Sequence, residues 1–456
     1  MTEINNSNKS IQQKMNMISC QVGYGKDKID LNIPKRNFLG FFTPISQNKI
    51  NTDIEGALIN ALENPIGKKL DDVVNNKKVC ILIEDGTRAS SQKIVVKVIM
   101  PYLKPAKKLC FIITTGSHNP NTEENKEIAE ALKSSIHNNG IENYEIIIHD
   151  CFNHEFINLG KTSFGTDVII NKKAHGCNVY FTISDLKTHY FAGYSNPIKN
   201  FLPGICAYDT VEQNHSLALK DKSTFLRHPL HPDPSRRSQP VAEDMLEATR
   251  LITKNAETYT LNMITLKNAI LWAEAGDFDI VTSNGLKKVD EIAAFTINKK
   301  ADYLIVSAGG YPFDGSLYDS QRALELTKNA VKDGGEILFL ANCGVGNGIA
   351  PNEKAKEFFY NALSEPLDIV LKTIENEYVL YSHKAFKFAK LLKKVKIWIK
   401  SSLNSEIVEK IHLISINDPQ KVIDNWVKND PNAQIYVCDK GSKLAIFYNN
   451  NIDDNS

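Results

Sequence analysis

Short, nearly continuous apolar runs recur along this chain and alternate with longer stretches of helical period. VCILIED (79–85), LCFIITTG (109–116), YEIIIHD (144–150) and NVYFTISDL (178–186) form a first group. DYLIVSAGG (302–310), GEILFLANC (335–343), KVKIWIK (394–400) and AQIYVCD (433–439) form a second. Runs of this length without strict alternation are what strands covered on both faces require. Helical patterns such as 320–333 and 353–363 separate them. The alternation predicts an α/β fold of two domains with largely parallel sheets flanked by helices, and an active site in the interdomain cleft. The expected division is a disordered N-terminus over 1–15, an N-terminal domain over 16–285 and a C-terminal α/β domain over 286–450. The Pro-, Arg- and Ser-rich segment 228–240 is expected to be a loop or cover.

A chain of 456 residues is too long for one ordinary core, which agrees with two domains. The 54 basic and 53 acidic residues nearly cancel, so no overall field favours nucleic acid or an anionic membrane. Eight cysteines are scattered with no CxxC pair, and Cys80, Cys110, Cys343 and Cys438 fall in the expected strands. That usage suits a reducing compartment. The opening MTEINNSNKSIQQKMN lacks the apolar core of a signal peptide, and no run approaches the ~20 apolar residues of a membrane span. A cytoplasmic protein is expected, with residues 1–15 and the tail YNNNIDDNS frayed.

The candidate chemistry lies just after the apolar runs. In EDGTR (84–88), Arg88 could bind a carboxylate with Asp85 holding its orientation, or the two could form a turn-stabilising ion pair. In TTGSHNP (114–120), His118 could act as a general base or metal ligand. The plainer alternative is a helix N-cap at Ser117 or Asn119 with His118 merely exposed. THYFAGYSNPIKNFLPGICAYDTVEQNH (188–215) sets His189, Lys199 and His215 around a turn-rich loop. Their spacing matches no standard structural zinc site, and a protonated lysine is a poor metal ligand. Lys199 therefore points to covalent or electrostatic work, against the alternative of ordinary surface residues. In VSAGGYPFDGSLYDSQR (306–322), Gly309-Gly310 is a weak phosphate-loop signal that lacks the full GxGxxG pattern, and GVGNG (344–348) is equally ambiguous.

Taken in order, YGK (24–26), DGTR (85–88), TGSH (115–118), HYFAGYSxxxK (189–199), PG (203–204), NH (214–215), AGD (275–277) and AGGYPxD (308–314) resemble the nickel-pincer lactate racemase family over nearly the whole chain. The resemblance implies a racemase or epimerase of 2-hydroxy acids. Its cofactor would be a nickel-pincer nucleotide (pyridinium-3,5-bisthiocarboxylic acid mononucleotide nickel) tethered to Lys199, with Thr87 and Ser195 beside it and His215 ligating Ni. His118 and His189 would be the two acid/base groups, and Arg88 would clamp the substrate carboxylate, oriented by Asp85. Tyr318, Asp319 and Arg322 would complete substrate binding. Partners would be the small 2-hydroxy acid and, transiently, cofactor-synthesis enzymes. The chain departs from the family pattern at Asn196-Pro197, where a Gly-Gly pair is usual, and at Asp319 and Arg322, where a glutamine and a lysine are usual. The second departure points to a substrate larger or more polar than lactate. Tyr381 and His383 are candidates to stack on the pincer ring, or simply an ordinary helix start. The alternatives are a cofactor-free lyase or isomerase on the same fold, and a catalytically silent binding relative.

Overall fold

The computed structural model describes residues 16–44, 51–86, 92–266 and 269–449. Residues 1–15 and most of the tail, expected to fray, lie outside these. Two compact units divide the chain, with boundaries between Ile45 and Ser46 and between Ile292 and Ala293.

In the Ser46–Ile292 unit, six strands run in the order Ala269–Asp277, Glu257–Leu266, Val179–Asp185, Lys78–Glu84, Lys108–Thr114 and Tyr144–Ile148. The last five are parallel, while Ala269–Asp277 returns antiparallel at the edge. Val79–Ile83 and Leu109–Ile113 are buried along their whole length, as continuous apolar runs demand. Helices Gln92–Ile99 and Glu123–Asn138 cover one face, the latter through Ile128, Ala129, Leu132 and Ile136. Each Leu or Ile side chain contributes about 1.5–3 kcal/mol when fully buried. Thr122 caps Glu123–Asn138 by accepting from the Asn125 amide at 3.2 Å, so neither Ser117 nor Asn119 is the cap.

The other unit holds an all-parallel sheet ordered Ile414–Ser415, Lys396–Lys400, Val331–Leu340, Ala301–Ser307, Ile435–Cys438 and Phe38–Phe42. Its edge strand Phe38–Phe42 and the hairpin Met17–Tyr24 with Asp27–Pro34 come from the start of the chain. This corrects the expected domain division, which placed 16–42 with the first domain. Val22, Leu31 and Ile33 form one inward face of a two-stranded ribbon, which needs an outside core to cover it. That core is Trp426, Ile305 and Val437, with Tyr303 and Trp426 stacked at 4.4 Å. Alternation shows that such a face exists and says nothing of which core receives it.

The helix expected over 320–333 is Leu317–Thr327, and a strand has begun by Val331. Cys343 lies past the end of Val331–Leu340, at φ +54°, not in the strand. All eight cysteines are free and buried. No helix among the described residues is long and apolar enough to cross a membrane.

Candidate functional site

The carboxyl ends of the central strands in the Ser46–Ile292 unit carry most of the candidate residues. Asp85 follows Lys78–Glu84 and is buried, and its Oδ2 lies 2.7 Å from Nδ1 of His118. The ring of His118 is 47% exposed while the Asp85 side chain is 3% exposed, so a buried acid holds an accessible imidazole. A carboxylate at Nδ1 keeps the proton there and leaves Nε2 able to accept one. Asp85, expected to orient Arg88, also holds His118. Thr87 and Arg88 lie outside the described residues.

The next strand end leads into a small hairpin, Lys187–His189 with Gly193–Ser195. Nδ1 of His189 accepts from the Ala192 amide at 3.2 Å, and the ring lies against Tyr190 at 5.4 Å and Phe191 at 4.6 Å. Gly193 has φ +78°, and a Cβ there would come within 1.7 Å of the Arg227 carbonyl oxygen. No other residue type fits that turn. Ser195 is buried just beyond it.

The Asn196-Pro197 departure has a simple local account. Asn196 Oδ1 accepts from the Ile198 amide at 3.1 Å and its carbonyl accepts from Lys199 at 3.0 Å. Pro197, at φ −61°, is the N-cap of the short helix Ile198–Phe201, where its missing N–H leaves no bond unmade. Asn200 then ties this helix to the sheet, donating to Ile183 O at 3.1 Å and Ser184 Oγ at 2.9 Å and accepting from Thr114 Oγ1 at 3.1 Å. Lys199 is held between these anchors and is only 9% exposed.

His215 sits near the end of helix Tyr208–Ser216, whose Asn214 is fixed by the Val241 carbonyl at 3.1 Å and Asp244 at 2.8 Å. One aromatic ring joins three of the expected site residues. Phe191 has His189 at 4.6 Å, His215 at 5.2 Å and the Lys199 ammonium at 5.8 Å from its centroid. Burial pushes the His215 imidazole down to about 3, helped by the positive fields of Lys199 and His118. His215 is therefore neutral at neutral pH, the form that ligates metals. His118, His189, Lys199 and His215 are brought together.

A supporting network was not visible in the sequence. Asp290 accepts from Tyr194 Oη at 2.6 Å, from His231 Nε2 at 3.1 Å and from Arg236, and Arg236 also donates to Tyr194 Oη at 2.6 Å. Gln239 donates to the carbonyls of Phe191 and, at 3.2 Å, Thr224. The 228–240 segment is thus the expected cover, with one short turn at Pro234–Arg236, and its polar side chains clamp the 189–199 hairpin. Nothing in the local pattern of 228–240 names Asp290, some fifty residues on, as its partner.

In the other unit, Tyr318, Asp319 and Arg322 lie on helix Leu317–Thr327. Ser316 caps the helix, accepting from the Asp319 amide at 3.2 Å and donating to Asp319 Oδ2 at 2.6 Å. Tyr381, at φ +85°, is the N-cap of helix Ser382–Leu392, and His383 Nδ1 is 2.8 Å from Tyr378 Oη. Tyr318 and Tyr381 rings are 6.4 Å apart. Lys384, which no sequence motif singles out, donates to the Tyr318 carbonyl and lies 3.8 Å from its ring centroid.

Residues 24–226 match the family model of the lactate racemase N-terminal domain, and residues 296–445 match that of the lactate racemase C-terminal domain. Together these matches cover well over half of the chain. The chain belongs to the lactate racemase family. A lactate racemase from Thermoanaerobacterium thermosaccharolyticum is 28% identical over 449 residues, spanning 94% of this chain and 99% of the relative. One from Lactiplantibacillus plantarum is 26% identical over 377 residues, spanning 79% and 84%. In fold, the chain is similar to the lactate racemase apoprotein of T. thermosaccharolyticum, with a TM-score of 0.80 at 24% identity over 94% of this chain and all of that one. It is also similar to a Thermotoga maritima protein, with a TM-score of 0.61 at 15% identity over 90% of this chain and all of that one.

Membership of the lactate racemase family makes a nickel cofactor the group to test against these residues. Among the described residues no three His, Cys, Asp or Glu side chains are grouped to hold a metal ion. One buried neutral imidazole beside one buried lysine instead suits a metal whose remaining donors arrive with a tethered organic cofactor. The donor set fits a lysine-linked nickel cofactor.

Proposed function

We propose that this lactate racemase family member inverts Cα of a 2-hydroxy acid by reversible hydride transfer. Lys199 would tether a nickel-pincer nucleotide, His215 would ligate its nickel, and Thr87 and Ser195 would lie beside it. The observation that carries this reading is the single ring of Phe191 shared by His189, Lys199 and His215. When bound, the cofactor supplies the hydride acceptor and donor.

The chain's own residues handle the protons. His118, with Nδ1 committed to Asp85, offers Nε2 as the base that takes the hydroxyl proton. His189 is held the other way: its Nδ1 accepts from Ala192, so the neutral ring presents Nε2–H as a hydrogen-bond donor to the substrate oxygen. To act as the acid it would first take up a proton and return to neutral imidazole on giving it back. Inversion needs one base and one acid on opposite faces of Cα, and the two histidines rest in complementary tautomers. Arg88 clamps the carboxylate, which fixes Cα for transfer. Tyr318, Asp319 and Arg322 recognise the rest of a substrate larger or more polar than lactate. Eight buried free thiols suit a reducing, cytoplasmic setting.

The test is co-production with cofactor-synthesis enzymes, followed by intact mass, nickel analysis and tryptic mapping of Lys199. An unmodified Lys199 without nickel sinks the reading. With the adduct present, a 2-hydroxy acid panel in heavy water should show inversion with no deuterium at Cα. Deuterium at Cα would replace hydride transfer by proton abstraction.

A further inference from the structure

Helix Ser382–Leu392 brings a lysine into the interior of the unit that holds Tyr318, Asp319 and Arg322. Lys384 is 6% exposed, and its ammonium both donates to the Tyr318 carbonyl and lies 3.8 Å from the centre of the Tyr318 ring. A desolvated cation over an aromatic face holds that ring more firmly than an exposed one. One side chain therefore holds Tyr318 by backbone and ring at once. We propose that Lys384 is a positioning residue for substrate recognition, fixing Tyr318 from behind and placing a cation beside Asp319 and Arg322. The proposal rests on the reading of Tyr318, Asp319 and Arg322 as substrate-binding residues.

The surroundings say how this device depends on pH. Helix Leu317–Thr327 faces Lys384 with Asp319, Arg322 and Glu325, and Glu325 is itself paired with Lys328 at 2.7 Å. Its own helix start contributes Tyr381 against Tyr318, and Phe359 packs edge-on to Tyr318 at 5.3 Å from the turn Glu357–Asn361, whose Tyr360 donates to Ile407 O. Burial lowers the Lys384 ammonium to about 8, with Asp319 and Glu325 opposing and Arg322 assisting. A lowered value means the cation is present below about pH 8 and lost above it, so recognition should weaken as pH rises through 8.

The experiment compares wild type, Lys384→Met and Lys384→Arg, each first checked for Lys199 loading by mass, with the 2-hydroxy acid panel from pH 6.5 to 10. Lys384→Met should raise KM at pH 7 by about tenfold while kcat stays within about threefold. Wild-type KM should climb above pH 8, KM of Lys384→Met should stay flat, and Lys384→Arg should restore KM at pH 7 and remove the climb, because a guanidinium does not titrate there. Wild-type KM and pH profile in Lys384→Met overturn the proposal. If wild type racemises nothing in the panel, the proposed function fails separately. Lys384 is then read by ¹⁹F NMR of protein carrying 4-fluorophenylalanine in place of Tyr318. One resonance that titrates near pH 8, and that loses its titration and broadens with Lys384→Met, supports the positioning role. A resonance indifferent to residue 384 overturns it.

Discussion

In the Ser46–Ile292 unit, the hairpin of His189, the helix of Lys199 and the helix of His215 come from one segment and meet at Phe191. In the other unit, Tyr318 and Asp319 meet Lys384 from a helix more than sixty residues away. The first gathering is organised by local backbone: a glycine no other residue can replace, an Asn-Pro helix start, and Asn200 reaching two strand ends. The second is organised by helix packing alone. The electrostatics differ accordingly. Around His215 burial is the main cause of its neutrality, assisted by the positive field of Lys199, whereas around Lys384 acids and a guanidinium pull in opposite directions. Burial beside a cation favours a neutral ligand; mixed charges can tune recognition.

The sharpest break in the first gathering is Lys199→Ala. It should abolish both the mass adduct and turnover, a loss beyond about a thousandfold, while far-ultraviolet circular dichroism stays that of wild type. A variant that still carries the adduct would move the tether elsewhere. His118→Asn should cost about 10²–10⁴-fold in kcat, the usual worth of a general base, with loading of Lys199 intact. Asp85→Asn should follow it in direction with a smaller loss, because the ring remains and only its tautomer is released.

What could be read in advance follows from this difference. Parallel buried strands announce themselves as continuous apolar runs, so Lys78–Glu84, Lys108–Thr114, Ala301–Ser307 and Ile435–Cys438 were legible. That His189, Lys199 and His215 gather in one place was legible because all three lie among unusual turn residues within one segment. The hairpin Met17–Tyr24 and Asp27–Pro34 was not, since its partner core comes from the far end of the chain. Nor was the hairpin Glu257–Leu266 with Ala269–Asp277, whose runs mix polar with apolar residues and whose second strand lies at the sheet edge. Asp290 and Lys384 act through partners distant in sequence, and spacing carries no trace of them.

Local backbone control can be tested by stability. Gly193→Ala should destabilise by about 2–4 kcal/mol in denaturant unfolding, combining positive φ with a clash against Arg227 O. Gly67→Ala, at φ +95° with nothing within 4 Å, should cost only about 1–2 kcal/mol. Equal losses would mean that the close approach at Gly193 does not matter. Asp290→Asn should lose about 2–3 kcal/mol at pH 7, since a largely enclosed carboxylate with three donors loses its charge. Burial raises the Asp290 value, but His231 and Arg236 more than offset it and hold it below the ordinary 3.8. A lowered carboxylate stabilises above its unfolded value and loses that contribution as pH falls, so the gap between wild type and Asp290→Asn should close below about pH 4.

The smallest expected effect concerns the mixed-charge gathering, and it separates a cap from a recognition residue. Asp319 is the third residue past its cap, Ser316, and its carboxylate accepts from the Ser316 hydroxyl while its amide donates back to Ser316 Oγ. This reciprocal arrangement at a helix N-terminus is a capping role, worth about 0.5–1 kcal/mol including the favourable placement of a negative charge there. Asp319→Gln keeps a polar group of similar reach but removes the charge, so it should lower stability by no more than that amount. Arg322→Lys leaves the cap untouched and should leave stability within about 0.5 kcal/mol, while shifting relative kcat/KM among 2-hydroxy acids several-fold, because a point charge replaces a planar fork. If Asp319→Gln instead changes substrate preference more than Arg322→Lys does, the carboxylate reads the substrate directly, and the cap is the lesser of its two duties.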